Sequence, residues 1–112
     1  MKLNHVNLTV SDVQAAKHFL MTYFGLRDLG DGNKNMAFLM DDDGLVLSMF
    51  KGKDVQYPGS FHIGFIQPSE ASVDAINARM KADGLDVSPP QRSHAWTFYV
   101  AAPGGFTVEV LC

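Results

Sequence analysis

The sequence has almost no cysteine, and its only one, Cys112, is the last of 112 residues. A single cysteine cannot form a disulfide within the chain, so the redox state of the compartment is barely constrained. Long hydrophobic runs are also missing, because polar residues interrupt each one before the roughly 20 residues that a membrane-spanning helix needs. The start of the chain lacks the apolar run of a secretory signal. We therefore expect a cytoplasmic protein with no membrane partner.

An excess of basic charge is absent too. Nine Lys and Arg oppose twelve Asp and Glu, which gives a formal net charge of −3. Binding to a phosphate backbone would need a basic cluster, so nucleic acid is not an expected partner. Hydrophobic residues, in contrast, make up 46% of the chain, which is enough for a compact core. One domain covering residues 1–112 is the expectation.

The first half of the chain has the pattern of a β-α-β-β-β unit. Apolar and polar residues alternate from Leu3 to Val10, as in a strand. The sequence Ser11-Asp12-Val13-Gln14 predicts a helix start capped by Ser11, and Gly25 suits the left-handed position after the helix. Three further strands are predicted, near 27–29, at 36–40 and at 45–50.

The second half repeats this order after a segment without periodicity at 51–59. A helix is predicted to follow Ser69 and to end before Gly84. Strands are predicted at 61–66, 86–87, 96–101 and 106–111. The sequence therefore predicts an α+β fold of two βαβββ modules, module one at 1–54 and module two at 55–112, with curved mixed sheets round a cavity.

Superposing the two modules aligns residues of chemical interest. Placing His5 on His62 brings Gly25 close to Gly84 and pairs Ser48 with Glu109. A chance match of so many marker residues is improbable for unrelated segments. We interpret the chain as an internal repeat.

Three potential ligands are predicted to lie away from the helices. Neighbouring side chains of a strand point to opposite faces, so the valines and leucine of the first strand face the helix and leave His5 on the other side. The same reasoning places His62 and Glu109 on the helix-free face of their strands. Apolar residues accompany them there and favour a face that lines a cavity: Ile66, Leu111 and Leu39.

Two neutral imidazoles and one carboxylate form a ligand set for a divalent metal ion. Such a set suits Fe²⁺, Mn²⁺, Ni²⁺ or Zn²⁺ and leaves coordination positions for substrate or water. The competing interpretation is structural. Under it, His18 and His94 are ordinary hydrogen-bonded histidines, and Glu109 is a buried carboxylate paired with Arg92 or Arg27.

Three segments resemble the vicinal-oxygen-chelate superfamily, which includes glyoxalase I, bleomycin-resistance proteins, fosfomycin-resistance thiol transferases and extradiol dioxygenases. They are His5–Asp12, Phe61–Ile63 and Phe98–Val110. The resemblance implies a paired βαβββ fold, usually a homodimer in which modules of two chains combine to form the cavities. It also implies four ligand positions, of which His5, His62 and Glu109 would occupy three.

The fourth position implied by the resemblance is Ser48, where glyoxalase I has a carboxylate or a similar ligand. The three-ligand pattern is more similar to the dioxygenases and thiol transferases, in which a tyrosine precedes the ligand glutamate by ten residues, as Tyr99 precedes Glu109. Tyr99 is therefore one catalytic candidate. His94, in the loop before Trp96, is the other, as the acid–base histidine that a dioxygenase would need. Substrate contacts are expected from Ser48 and, at the pocket mouth, from Arg92 and Trp96.

Three functions remain open from the sequence. The leading one is a metal-dependent enzyme, dioxygenase-like or lyase-like, that acts on a small substrate with neighbouring oxygens. The alternative is a metal-free binding protein of the bleomycin-resistance type, and the third is a module that only dimerises. For the alternative, the residues expected to line an apolar cleft are Trp96, Tyr57, Phe38 and Met49.

Overall fold

The computed structural model describes all residues from 1 to 112 and has the expected α+β class, with two βαβββ modules in one chain. The elements of the first module are β1 (His5–Val10), α1 (Val13–Phe24), β2 (Arg27–Asp28), β3 (Met36–Met40) and β4 (Val46–Lys51). Those of the second are β5 (Ile63–Ile66), α2 (Glu70–Ala82), β6 (Gln91–Arg92), β7 (Trp96–Ala102) and β8 (Phe106–Leu111). Neither helix has the length and hydropathy to span a membrane.

The first compact unit comprises residues 1–57 together with the turn at 103–105. Its strands form one open sheet in the order β1-β4-β3-β2, in which β1 and β4 are parallel and the other neighbours are antiparallel. Leu8 and Val10 are buried on the same side as Phe19 and Leu20 of α1, as the alternation predicts. Leu39 was expected on the helix-free face, but it pairs with Leu47 and is fully buried in the core.

Helix α1 begins one residue later than its capping pattern indicates. Asp12, not Ser11, is the N-cap: its backbone is extended and its Oδ1 accepts a hydrogen bond of 3.1 Å from the Ala15 N–H. The Ser11 N–H instead donates to the Gly104 carbonyl, and the Gln14 amide donates to the Asn33 carbonyl. The Ser11 backbone N–H and the Gln14 side-chain amide, which would take part in the expected capping box, thus both donate to carbonyls outside the helix.

The second unit comprises residues 58–102 and 106–112. Its open sheet has the order β5-β8-β7-β6, again with one parallel pair, β5 and β8. Helix α2 is capped by Ser69, whose Oγ accepts from the Ser72 N–H at 3.1 Å, as predicted. Val73 and Met80 of α2 are fully buried, as are Val108 and Val110 of β8.

The strand expected at 86–87 does not form. The chain there runs alongside α2, where the Asn77 amide donates to the Ser88 carbonyl at 2.8 Å. Pro89 and Pro90 follow, and neither has an N–H to donate to a neighbouring strand. Pairing with β7 therefore starts only after the prolines, at Gln91–Arg92.

Strand register shows the internal repeat directly. In the parallel pair of the first unit, Asn7 lies opposite Ser48, and in that of the second unit Gly64 lies opposite Glu109. Asn7 and Gly64 each stand two residues after a histidine, His5 or His62. Ser48 and Glu109 are therefore equivalent positions, each on the strand that runs beside its module's first strand.

Candidate functional site

Glu109 is the centre of a polar cluster in the second unit. It lies in the middle of β8, where its neighbours Val108 and Val110 face the core and direct its side chain to the helix-free face. The residue is only 4% exposed. A carboxylate with so little contact with water must be hydrogen-bonded by the protein.

One carboxylate oxygen of Glu109 receives two hydrogen bonds. The Thr97 hydroxyl donates to Oε1 at 2.8 Å, and Nε2 of His94 lies 2.5 Å from the same oxygen. The Ser93 hydroxyl is 2.9 Å from Nδ1 of His94, so an O–H donated to Nδ1 leaves the hydrogen on Nε2 for Glu109. The other oxygen, Oε2, is left for a different partner.

That partner is His62. Its Nε2 lies 3.2 Å from Oε2 of Glu109, and its Nδ1 lies 3.0 Å from the Ser60 carbonyl. A carbonyl oxygen only accepts, so the hydrogen of a neutral ring stands on Nδ1 and Nε2 carries a lone pair. Two lone pairs then face each other, an arrangement that a proton or a bound cation between them would stabilise.

Tyr99 completes the cluster. It lies directly opposite Glu109 in the antiparallel pair of β7 and β8, and therefore on the same face. Its ring stands edge-on to that of His62, with centroids 5.4 Å apart. Partial burial and then the charge and hydrogen bond of Glu109 raise the pKa of Tyr99, so its hydroxyl remains a donor at neutral pH.

The pKa of Glu109 reflects the same contacts. Burial alone would raise it, but the hydrogen bonds from Thr97, His94 and Tyr99 outweigh burial and hold the pKa below its ordinary value. Glu109 is thus ionised at neutral pH. A buried carboxylate with its charge retained can bind a cation without first losing a proton.

His5 belongs to the first unit, at the start of β1. Its Nδ1 lies 3.1 Å from the Asn4 side-chain oxygen, which leaves Nε2 as the lone-pair nitrogen of the neutral ring. Ser48 shares a sheet face with His5, since its partner Asn7 is two residues further along β1. The Ser48 hydroxyl is buried and donates to the Asn7 amide oxygen at 2.7 Å.

The structure directs Arg92 and Trp96 to helix α2. Arg92 pairs with Glu70 at 2.6 Å and lies 5.3 Å from the centre of the Trp96 ring. The Trp96 indole donates to Asp74 at 2.8 Å. Trp96 also precedes Thr97, which faces Glu109, so the two side chains point to opposite sides of the sheet. These residues are not brought together with Glu109.

An arginine partner for Glu109 is not what the structure shows. Arg92 is bound to Glu70, and Arg27 contacts Asp42 at 3.1 Å and the Asp41 carbonyl. His18 lies exposed on α1, 3.5 Å from the Thr22 hydroxyl. Nowhere in the chain are three or more His, Cys, Asp or Glu side chains arranged as a ready metal-binding group.

Of the side chains that contact Glu109, which are Thr97, His94, His62 and Tyr99, only Thr97 was not singled out from the sequence. It was available from the pattern, because it stands two residues before Tyr99 in the same predicted strand and so shares its face. A threonine in a strand is common, however, and only the pairing with β8 reveals that its hydroxyl meets a carboxylate.

Comparison with known proteins identifies the family. Residues 2–110 match the model of the Glyoxalase/Bleomycin resistance protein/Dioxygenase superfamily. The chain therefore belongs to this superfamily, as its motifs indicated. None of the curated proteins matches the chain.

Solved structures share the fold along the whole chain. A structure described as a possible glyoxalase from Bacillus cereus is 54% identical, with a TM-score of 0.96 and coverage of 100% of this chain and 99% of the other. Lactoylglutathione lyase from Agrobacterium tumefaciens is 22% identical, with a TM-score of 0.79 and coverage of 98% and 92%. At that identity the likeness shows the fold alone.

A third neighbour is a mutant of the fosfomycin resistance protein FosX from Listeria monocytogenes, in complex with Mn(II) and 1S,2S-dihydroxypropylphosphonic acid. It is 25% identical, with a TM-score of 0.82 and coverage of 98% of this chain and 90% of the other.

Proposed function

We propose that the chain is a divalent-metal-dependent enzyme that acts on a small substrate with neighbouring oxygens, with His5, His62 and Glu109 as metal ligands. The observation that carries the proposal is the contact between Nε2 of His62 and Oε2 of Glu109, at 3.2 Å. Two ligand atoms that share an ion at about 2.1 Å, at angles between octahedral and tetrahedral, lie about 3.0 to 3.4 Å apart. The donor pair therefore fits a common ion.

The outer contacts of both histidines also fit ligation. Metal-binding histidines usually donate their second ring N–H to an oxygen, which fixes the tautomer and the ring. His62 does so to the Ser60 carbonyl, and His5 has the Asn4 amide oxygen beside the corresponding nitrogen. FosX, which shares the fold, was solved with Mn(II), and this supports a divalent ion among Fe²⁺, Mn²⁺, Ni²⁺ and Zn²⁺ here.

A bound ion would supply Lewis-acid chemistry and a common anchor for two substrate oxygens. Around it, Tyr99, whose hydroxyl keeps its proton, would move its hydrogen bond from Glu109 to a substrate oxygen. His94 is proposed as the acid–base group, because it contacts Glu109 and its side chain is 55% exposed. Ser48 is proposed to leave its position open for substrate, while Arg92 and Trp96 stabilise the α2 side of the sheet.

Metal titration tests the ligand set. Calorimetry of the metal-free protein with Mn(II) should give saturable binding that His62→Ala and Glu109→Gln abolish. His18→Ala is the matched control, because His18 is exposed on α1 and should leave binding unchanged. No uptake of any of the four ions by the parent protein would overturn the proposal.

A homodimer with shared cavities is part of the proposal, and mixing variants tests it. His5→Ala and Glu109→Gln, each unable to bind metal alone, are unfolded together and refolded. If each cavity takes His5 from one chain and Glu109 from the other, about a quarter of the sites become intact again. Ligands drawn from a single chain would restore none.

Reaction class is tested on the metal-loaded protein. Oxygen uptake with catechols would support a dioxygenase-like reaction, whereas conversion of a small substrate without oxygen uptake would support a lyase-like one.

A second candidate is metal-free binding of a drug or metabolite. The observation that favours it is that Glu109 already accepts hydrogen bonds from Thr97 and His94, and that every buried side-chain nitrogen and oxygen of the chain has a hydrogen-bond partner. Its lining would differ from the one expected from the sequence, because Met49 is fully buried and Trp96 contacts α2. Ile66, 79% exposed, and Tyr99 are better placed. Ligand binding that survives both chelator and Glu109→Gln would support this candidate over the enzyme.

A further inference from the structure

We propose that Thr97 is a positioning residue that holds Oε1 of Glu109, so that the carboxylate offers a divalent ion only its other oxygen, Oε2. The inference rests on the metal site proposed above and deepens it. It concerns how many coordination positions the protein uses and how many it leaves to a substrate.

The hydrogen bonds at Oε1 use that oxygen fully. An ionised carboxylate oxygen has about two lone-pair sites in its plane. One accepts from the Thr97 hydroxyl at 2.8 Å and the other faces Nε2 of His94 at 2.5 Å. A metal ion that approached Oε1 would have to displace one of these donors, whereas approach to Oε2 displaces neither.

Oε2 has space beside it on the side of Gly64. Gly64, opposite Glu109 in the parallel pair, has no side chain, and a Cβ built there would lie 4.0 Å from Oε2. Nε2 of His62 faces the same oxygen. Space and the lone-pair nitrogen of His62 therefore meet at Oε2.

Of the two donors to Oε1, Thr97 is the rigid one. It is 5% exposed, it lies within β7, and the register of β7 with β8 holds it beside Glu109. Its β-branched side chain has few rotamers available in a strand. His94, in contrast, stands in the short segment between β6 and β7 with half of its side chain exposed. The hydroxyl of Thr97 is thus the fixed element that orients the carboxylate.

Binding through one oxygen has a consequence for function. A carboxylate that rotated to bind through both oxygens would occupy one more coordination position. Holding Oε1 away keeps that position for water or for a substrate oxygen, which a chelating substrate needs.

The test compares Thr97→Val, which removes only the hydroxyl from a side chain of the same shape, with Thr97→Ser, which keeps it. Mn(II) alone is the probe, with affinity from calorimetry and the number of bound waters from ¹⁷O-water broadening of the Mn(II) electron paramagnetic resonance spectrum. Thr97→Val should bind Mn(II) about ten- to a hundredfold more weakly, with one water fewer. Thr97→Ser should restore both values.

Thr107→Val is the matched control, because Thr107 lies on β8 two residues before Glu109 and pairs with Ala101. It should leave affinity and water number unchanged. Thr97→Ala replaces Thr97→Val if circular dichroism shows that the latter is unfolded. Wild-type affinity and water number in the hydroxyl-free variant would overturn the positioning role alone. A parent protein that takes up no Mn(II) would overturn the proposed metal site and this inference with it.

Discussion

Ser48 occupies in the first sheet the position that Glu109 occupies in the second. Each stands on the strand that runs parallel to its module's first strand, opposite the residue two places after a histidine. The two modules thus share one strand arrangement, and the first has a hydroxyl where the second has a carboxylate. Because the Ser48 hydroxyl is bonded to Asn7, its present role is to join β1 to β4.

Removing that hydroxyl should therefore affect stability. Ser48→Ala deletes a buried hydrogen bond of 2.7 Å and leaves the Asn7 amide oxygen without this donor. We expect the free energy of unfolding to fall by about 1 kcal/mol in urea titrations. Ser88→Ala, at an exposed serine, is the control and should change little. Equal stability of the two variants would contradict this role.

The stability of the metal-free protein should depend on pH through Glu109. The pKa of Glu109 is lowered in the folded state from its ordinary value of 4.5. The contribution of ionised Glu109 to the free energy of unfolding is therefore complete above pH 4.5. It is lost as the pH falls through the lower pKa that Glu109 has in the folded state. Urea unfolding with chelator between neutral pH and pH 3 should show this loss.

Glu109→Gln should flatten that dependence. Part of the slope should remain, because the hydrogen bond from Lys17 also lowers the pKa of Asp28. An unchanged slope in Glu109→Gln would show that the carboxylate does not gain its hydrogen bonds on folding.

The cap of helix α1 gives a prediction that separates neighbouring residues. Asp12→Ala removes the side chain that accepts from the Ala15 N–H, and we expect a loss of about 1 kcal/mol. Ser11→Ala should have little effect, since Ser11 uses its backbone N–H, which the substitution keeps. Thermal or urea unfolding of the two variants measures the difference, and a larger loss in Ser11→Ala would contradict the assignment.

Gly104 should not tolerate a side chain. Its φ is +100°, and a Cβ there would lie 3.0 Å from Cβ of Val10 and 3.4 Å from that of Ala16. We expect Gly104→Ala to destabilise the protein by about 1–2 kcal/mol or more, from backbone strain and from the close contact. Gly59→Ala is the control, because no atom lies within 4 Å of a Cβ at Gly59. Comparable melting temperatures for both variants would contradict this prediction.

Local patterns were sufficient where a structural feature depends on neighbouring residues alone. Strand β3 forms at Met36–Met40, Gly25 ends α1 in the left-handed conformation, and Ser69 caps α2, all as predicted. The cap at Ser11 was wrong because a distant group competes: the Ser11 N–H donates to the Gly104 carbonyl. The strand at 86–87 was wrong for a local reason, since Pro89 and Pro90 have no N–H to donate and β6 starts only after them.

The sequence by itself determined the two-module fold and the faces of β1 and β8, whereas Leu39 of β3 was assigned to the wrong face. Alternation with a period of two decides which side chains share a face, so Glu109 could be assigned to the helix-free face from the sequence. His62 was assigned in the same way, but it lies immediately before β5, which begins at Ile63. The family could also be predicted from the sequence, through the segments His5–Asp12, Phe61–Ile63 and Phe98–Val110.

Only the tertiary structure decided what each oxygen of Glu109 contacts. That Thr97 and His94 share Oε1 while His62 faces Oε2 depends on the register of β8 with β7 and on the path of the chain before β7. The tertiary structure also decided that the Trp96 indole contacts Asp74 of α2. Such contacts join residues far apart in sequence, and their geometry follows from packing of whole strands rather than from any local pattern.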